Sequence, residues 1–187
     1  MKKIFIAATK QNDGKTTVAL GLIFNLSSRF KNIGFIKPIG QRYLEEDCLK
    51  VDEDSVLIER VAAFSHVSCG LKDMNPVAVE RGFTENYIKH PDEASITRQI
   101  KQSFKRVAYK RDIVIIEGTG HAGVGSVFDH SNARVARLLN SKVILVSSGG
   151  IGRPIDEIVL NKALFDKEGV KLAGVIINKV LPEKFDK

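Results

Sequence analysis

Cysteine is scarce in this sequence, and it contains no long apolar run. The two cysteines, Cys48 and Cys69, are isolated and lack CxxC spacing, and the four histidines show no metal-ligand spacing either. The apolar stretch after the N-terminal Met-Lys-Lys covers only residues 4–8, too short for the core of a signal peptide. No stretch approaches the ~20 apolar residues of a membrane-spanning helix. The sequence therefore predicts a cytoplasmic protein with reduced thiols.

Basic residues outnumber acidic ones, since 29 lysines and arginines face 22 aspartates and glutamates and leave a net charge of +7. A surplus of this sign favours anionic ligands. The basic residues are spread along the chain, without a patch of interleaved aromatic residues. The composition therefore favours a small anionic partner and does not favour nucleic acid.

Segments typical of strands and helices alternate along the chain. Strands are predicted at residues 4–8, 34–38, 112–117, 142–147 and 173–177, and helices at 15–29, 54–64, 91–110, 132–140 and 154–167. Residues 65–90 have the weakest periodicity and are predicted to form a loop with a short helix. Strands without polar alternation need cover on both faces, so the pattern predicts an α/β fold with a doubly wound, mostly parallel sheet.

The length of 187 residues predicts one domain over residues 1–187. A doubly wound sheet usually places a covering helix after its last strand, and the sequence ends shortly after residue 177. We therefore expect this domain to be the N-terminal part of a longer chain.

A phosphate-binding loop is predicted where the first strand gives way to the first helix. Gly14-Lys15-Thr16-Thr17 matches the end of the P-loop pattern, although Thr9 stands where its first glycine is usual. Main-chain N–H groups and a helix N-terminus can bind the phosphates of a nucleotide, and we expect Lys15 to reach the β- and γ-phosphates and the Thr16 hydroxyl to bind Mg²⁺. A glycine turn followed by a surface lysine is the alternative interpretation. The nucleotide-binding residues predicted in this loop are Lys10, Asn12, Asp13, Gly14, Lys15, Thr16 and Thr17.

Lys10 lies five residues before Lys15. This spacing resembles the deviant Walker A pattern of the partition and septum-site ATPases, in which the additional lysine contacts phosphate across a nucleotide-sandwich dimer. The resemblance implies a homodimer. An exposed loop lysine without a role in nucleotide binding is an equally good interpretation of Lys10.

Four further segments lie at or just beyond the predicted ends of strands or at the start of a helix. They are Lys37-Pro38-Ile39-Gly40-Gln41, the acidic run around Asp54, Ile116-Glu117-Gly118-Thr119-Gly120, and Asn178-Lys179-Val180. Together with the loop, they resemble a P-loop family that contains dethiobiotin synthetase, the nucleotide domains of cobyrinic acid a,c-diamide synthases and the N-terminal domains of long phosphate acetyltransferases. The resemblance extends over residues 4–180.

This resemblance implies a P-loop NTPase fold that binds ATP with Mg²⁺. By position, Thr16, Asp54 and Glu117 would surround the metal, oxygen ligands being the type that Mg²⁺ requires. Lys37 would face the γ-phosphate and act with Lys15 in catalysis. Asn178 would hydrogen-bond adenine. For Asp54, a solvated acidic residue at a helix start is the alternative interpretation.

Two departures from dethiobiotin synthetase bear on the function. His121 interrupts the glycine-rich run that follows the position of Glu117, and residues 129–136 are closer to the phosphate acetyltransferase type. The first hypothesis is an ATP-dependent ligase that activates a small carboxylate by phosphorylation. The alternatives are a regulatory nucleotide-binding domain of a phosphate acetyltransferase-like protein and a partition-type dimeric switch ATPase.

Overall fold

The computed structural model describes residues 1–46, 49–62 and 70–185. Cys48, Cys69 and His66 lie outside these ranges, as does the end of the helix predicted at residues 54–64. The expected state of the thiols therefore stays a prediction.

The strands of the described residues form one large and two small sheets. In chain order they are β1 (Lys2–Ala8), β2 (Ile33–Ile36), β3 (Ile39–Gly40), β4 (Tyr43–Glu46), β5 (Leu49–Asp52), β6 (Val77–Ala78), β7 (Ile113–Glu117), β8 (Lys142–Ser148) and β9 (Leu172–Asn178). The large sheet is parallel throughout, with the order β2-β7-β1-β8-β9. β3 and β6 form a short parallel pair, and β4 and β5 form an antiparallel hairpin.

Helices connect the strands of the large sheet. They are α1 (Lys15–Ser27), α2 (Glu53–Ala62), α3 (Leu71–Met74), α4 (Phe83–Lys89), α5 (Glu93–Ala108), α6 (Asn132–Leu138) and α7 (Arg153–Lys167), with 3₁₀ turns at Ser126–Phe128 and Pro182–Lys184. The start of α5 is fixed by a side-chain cap, because the Asp92 carboxylate accepts a hydrogen bond of 2.9 Å from the Ser95 N–H. Within the described ranges, no helix is both long and apolar enough to span a bilayer.

The core lies on both faces of the large sheet because successive side chains of a strand point to opposite faces. From β1, Phe5 joins the cluster beneath α5, α6 and α7, whereas Ile6 joins the cluster beneath α1, α2 and α3. Both side chains are fully buried. The uninterrupted apolar runs of β1 and β7 follow from this cover on both sides.

The predicted fold class is confirmed, and the predicted strands of the large sheet and their connecting helices are present with shifts of a few residues at their ends. The hairpin of β4 and β5 and the two-residue strands β3 and β6 were not predicted. β4 (Tyr43–Glu46) and β5 (Leu49–Asp52) have only four residues each and mix apolar with charged side chains, so neither gives a pattern long enough to identify a strand. Within residues 70–90, the predicted loop with a short helix contains α3, β6 and α4.

Replacement of Ile100 by alanine should lower the free energy of unfolding. Ile100 on α5 is fully buried, and removing its side chain loses hydrophobic burial and leaves a cavity, which together cost about 2–5 kcal/mol. The matched control is Ile88→Ala on α4, where the side chain is 63% exposed. Urea denaturation of the two variants measures the difference. Equal destabilisation by both would contradict the assignment of the core.

A candidate nucleotide-binding site

The predicted site residues converge at the carboxyl ends of the parallel strands, where open α/β sheets bind their ligands. The phosphate loop follows β1, Lys37 follows β2, Glu117 ends β7 and Asn178 ends β9. A pocket of about 320 Å³ opens there. Its walls are formed by Gln11, Asn12, Gly14, Lys15, Thr16, Thr17, Lys37, Gln41, Arg42, Asp52, Glu53, Asp54, Glu117, Thr119, Gly120, Asn178 and Lys179.

The phosphate loop has a shape that only glycine fits at position 14. Gly14 has a φ of +100°, in the left-handed region, and a Cβ atom there would overlap the side-chain nitrogen of Asn178. That nitrogen donates a hydrogen bond of 2.8 Å to the Asp13 carbonyl, and Lys179 Nζ donates one of 2.7 Å to the Asn12 carbonyl. The end of β9 thereby holds the loop in place.

Thr9, which stands in place of the usual glycine, forms a hydrogen bond inside the phosphate loop. Its hydroxyl donates to the Asp13 carboxylate over 2.7 Å, and the Lys10 main-chain N–H donates to the same oxygen over 3.1 Å. The Asp13 side chain is buried and is used for this internal contact. The Lys10 ammonium lies 3.6 Å from Glu157 of α7 and is absent from the pocket wall. Lys10 and Asp13 are thus the two residues of the predicted site whose side chains do not line the pocket.

Lys15 is a buried ammonium group at the start of α1. Among the described residues, its Nζ atom has no hydrogen-bond or salt-bridge partner, although its side chain is only 8% exposed. Burial lowers the pKa of Lys15, and the nearby Glu117 carboxylate only partly opposes this effect. Lys15 lines the pocket, so its unpartnered ammonium is open to a ligand there. Lys15 is therefore prepared to receive an anion.

Lys37, in contrast, is surrounded by carboxylates. Its ammonium lies 2.6 Å from Asp52 and 3.9 Å from Glu117, and it makes a close ion pair with Asp54. Burial lowers the pKa of Lys37, but the carboxylates outweigh burial and raise it on balance. Asp54 is thus part of the cluster, and its own pKa is lowered because Lys37 and Thr16 outweigh the opposing effect of burial.

Glu117 is the most perturbed group of the site. One carboxylate oxygen accepts a hydrogen bond of 3.0 Å from the Thr16 hydroxyl, whereas the other, Oε2, is buried without a partner among the described residues. Burial raises the pKa of Glu117 to about 7, more than Lys37 and Lys15 lower it. A buried carboxylate oxygen without a donor is what a cation site needs, so this group fits a metal ligand.

Thr16, Asp54 and Glu117 supply one hydroxyl and two carboxylates. The described ranges contain no cluster of three or more histidine, cysteine or acidic side chains that could hold a metal ion. Mg²⁺ commonly binds through one or two carboxylates together with waters and substrate phosphates, so the smaller set suits it. The donor set of this pocket therefore fits Mg²⁺ bound together with a nucleotide.

The segment after β7 is fixed by Asn132. The Thr119 N–H donates to the Asn132 side-chain oxygen over 3.0 Å, and the side-chain nitrogen donates to the carbonyls of Thr119 and His121. Asn132 thereby fixes the main chain from Thr119 to His121. His121 itself is exposed.

The sequence did not predict Asp52, Gln41, Arg42 or Thr119 as parts of the pocket. Gln41 ends the Lys37-Pro38-Ile39-Gly40-Gln41 segment and Arg42 follows it, and Thr119 follows Glu117 by two residues. Their proximity to predicted residues was the available signal, whereas Asp52 was hidden in an acidic run that also fits a solvated helix start.

The signature of the AAA domain family matches residues 2–186. The chain belongs to the AAA domain family. This match confirms the predicted membership of a P-loop family.

Two relatives of known function match nearly the whole chain. The ATP-dependent dethiobiotin synthetase BioD of Clostridium kluyveri is 28% identical over 189 residues, which cover 98% of this chain and 77% of the synthetase. The phosphate acetyltransferase of Pseudomonas aeruginosa is 31% identical over 187 residues, 98% of this chain but 25% of that protein. This P-loop protein is therefore related to both kinds of enzyme, as its motifs predict. The likeness to cobyrinic acid a,c-diamide synthases stays a prediction.

Solved structures confirm the fold at lower identity. A putative plasmid partition protein of Borrelia burgdorferi bound to AMPPNP is 18% identical, with a TM-score of 0.59 over 97% of this chain and 77% of that one. The kinase domain of the Escherichia coli tyrosine kinase ETK is 16% identical, with a TM-score of 0.54 over 97% and 68%. At these identities the likeness concerns the fold alone.

The raised pKa of Glu117 predicts how stability depends on pH. Between the ordinary value of 4.5 and about 7, the folded protein keeps a proton that the unfolded chain has released, so the stability that this proton provides is lost as the pH rises. Glu117→Gln removes this dependence. Relative to the variant, the wild type should lose on the order of 3 kcal/mol between pH 4.5 and 7.5.

Urea denaturation without metal or nucleotide, at several pH values, measures this difference. The exposed Glu85→Gln on α4 is the control and should show no such change relative to the wild type. A wild-type stability that runs parallel to that of Glu117→Gln across this window would contradict the buried state of the carboxylate.

Proposed function

We propose that the protein binds Mg-ATP in this pocket and transfers the γ-phosphoryl group to a small carboxylate substrate. The observation that carries the proposal is the meeting of an unpartnered buried lysine, Lys15, with a metal-type donor set at the N-terminus of α1. Helix N-termini and consecutive main-chain N–H groups bind phosphate. The relationship to an ATP-dependent synthetase supports ATP as the nucleotide.

The loop residues and Asn178 would hold the nucleotide. The N–H groups from Asn12 to Thr17 surround the phosphates, and Lys15 contacts the β- and γ-phosphates. The Asn178 amide nitrogen is used to fix the loop, which leaves its oxygen to accept a hydrogen bond from the adenine amino group. Asn178 would then link the loop to the base.

Thr16, Asp54 and Glu117 would hold Mg²⁺, directly or through water. The metal would offset the negative charge of the β- and γ-phosphates. Without it, Asp54 and Glu117 are balanced by Lys37, which lies 3.9 Å from the Glu117 carboxylate. We infer that Lys37 is displaced from these groups toward the γ-phosphate when the complex forms.

In the proposed reaction, an oxygen of the substrate carboxylate attacks the γ-phosphorus. The bond from that phosphorus to the β–γ bridging oxygen breaks, ADP leaves, and an acyl phosphate forms. The protein would contribute positioning and neutralisation of charge, which dominate catalysis of phosphoryl transfer. Lys15 and Lys37 are the residues proposed for this role.

A regulatory nucleotide-binding domain is the second candidate function. The 31% identity with a phosphate acetyltransferase of which this chain covers 25% favours it, because a domain of this kind can be one part of a longer enzyme. For a partition-type dimer, the lysine of interest is Lys10, which is held by Glu157 of the same chain. A homodimer and a cytoplasmic location stay parts of the proposal that the sequence motivates.

Lys15→Ala should weaken the binding of Mg-ATP by about 100-fold or more, since it removes charge-assisted hydrogen bonds to two phosphates. Isothermal titration with ATP, in the presence and absence of Mg²⁺, is the measurement. The exposed Lys101→Ala on α5 is a control of equal charge change and should bind as the wild type does. Unchanged affinity in Lys15→Ala would refute the proposed site.

ATP turnover should rise when a matching carboxylate is added, and a series of dicarboxylic and diamino acids provides the screen. Lys37→Ala should lower the stimulated rate by roughly 100-fold or more, because it removes one stabiliser of transition-state charge. Release of ADP is the readout, again with Lys101→Ala as control. Tight ATP binding without stimulation by any acid of the series would favour the regulatory alternative.

A further inference from the structure

Asp52 is a buried carboxylate behind Lys37 that none of the predicted roles includes. It ends β5, is 1% exposed, and accepts four hydrogen bonds. The donors are Lys37 Nζ at 2.6 Å and the main-chain N–H groups of Asp54 at 3.1 Å, Gln41 at 3.1 Å and Arg42 at 3.3 Å. Three segments of the pocket wall thus meet at one carboxylate.

Asn75 extends this network to the main chain of Lys37. The Asp52 N–H donates to the Asn75 side-chain oxygen over 3.0 Å, and the Asn75 side-chain nitrogen donates to the Lys37 carbonyl over 2.8 Å. Lys37 is consequently held at its ammonium by Asp52 and at its carbonyl by Asn75. The surroundings are tight, since a Cβ atom on Gly40 would lie 2.6 Å from Cβ of Asp52.

The carboxylates near Lys37 differ in what else they can bind. Asp52, Asp54 and Glu117 all line the pocket, but Asp54 and Glu117 belong with Thr16 to the donor set that fits a metal ion. The carboxylate of Asp52 is occupied by main-chain donors from the hairpin side. When Asp54 and Glu117 bind the metal, Asp52 remains as the counter-ion of Lys37.

The burial of Asp52 makes this pairing persistent. Separating a buried ion pair leaves a charge without compensation, which is strongly unfavourable. The lysine side chain has several rotatable bonds and loses its freedom only where a partner holds the ammonium. A Lys37 anchored to Asp52 therefore keeps its ammonium inside the pocket.

We propose that Asp52 is a positioning residue that holds the Lys37 ammonium at the γ-phosphate end of the pocket. The inference rests on the proposed function, since it concerns the lysine that faces the γ-phosphate of bound ATP. It adds a role for a residue outside the metal and phosphate ligands. It also predicts that Asp52 matters for the triphosphate and not for the diphosphate.

The test compares the dissociation constants of Mg-AMPPNP and Mg-ADP by isothermal titration. Asp52→Asn is nearly isosteric and keeps an oxygen that can accept from Gln41 and Arg42, but it removes the counter-ion of Lys37. We expect the preference for the triphosphate to fall by about tenfold, with ADP affinity unchanged. The control is Asp73→Asn on α3, whose carboxylate pairs with Arg106 at 2.7 Å, away from the pocket.

A double-mutant cycle separates positioning from a general structural role. In a Lys37→Met background, Asp52→Asn should no longer change the ratio of the two dissociation constants. Asn75→Ala removes the other support of Lys37 and should likewise lower the preference for the triphosphate. It replaces Asp52→Asn as the test variant if Asp52→Asn does not fold. Thermal unfolding of each variant shows whether it is folded.

Each other outcome decides against the inference. The role of Asp52 would be overturned if Asp52→Asn weakened the binding of both nucleotides equally, or if the preference for the triphosphate stayed unchanged or rose. It would also be overturned if Asp52→Asn changed this preference equally with and without Lys37. If those results come with a wild type that binds both nucleotides, the proposed function stands. A wild type that binds neither nucleotide would overturn the proposed function and this inference with it.

Discussion

The buried charges at the carboxyl end of the central sheet have to neutralise one another, and the pocket is built around that constraint. Lys37 is in contact with Asp52 and Asp54 and lies near Glu117, so one ammonium serves several carboxylates. Such groups are tolerated inside a protein only when they are paired. Within the described part of the pocket, the Lys15 ammonium has no hydrogen-bond or ion-pair partner and Oε2 of Glu117 is buried without one, and these two groups carry opposite charge.

The sheet brings these groups together from distant parts of the sequence, and polar side chains then fix the loops between them. Asn161 of α7 donates to the Thr9 carbonyl over 3.2 Å and accepts from the Ala122 N–H over 2.7 Å, which joins the phosphate loop to the segment after β7. Asn178 fixes the other end of the phosphate loop. The loop therefore depends on α7 and β9, which follow it by more than a hundred residues.

The sequence predicts well those parts that depend on local patterns. The apolar runs of β1, β7 and β8 are continuous because both faces of these strands are covered, and Gly14, Lys15 and Thr16 form a motif with fixed spacing. The strands β4 and β5 have four residues each and mix apolar with charged side chains, so their periodicity is too short to mark the hairpin in the sequence. The hairpin nevertheless carries Asp52 into the pocket, and a carboxylate beside Glu53 and Asp54 looks in sequence like any acidic helix start. The pairing of Lys10 with Glu157 also depends on tertiary contacts that no local pattern reveals.

Under the proposed function, the arrangement of charges further implies that metal and nucleotide would assist each other's binding. A divalent cation arriving alone would have to compete with Lys37 for Asp54 and with a proton for Glu117, whose pKa is raised to about 7 by burial. A nucleotide arriving alone would bring phosphates close to these carboxylates. Among the described lysines of the pocket wall, Lys37 is paired with carboxylates and Lys179 with the Asn12 carbonyl, so Lys15 is the lysine left to receive the phosphates. When both arrive, the metal satisfies the carboxylates and the phosphates satisfy the lysines. Because each ligand removes the repulsion that opposes the other, their affinities must be coupled, and by linkage the coupling is equal in both directions.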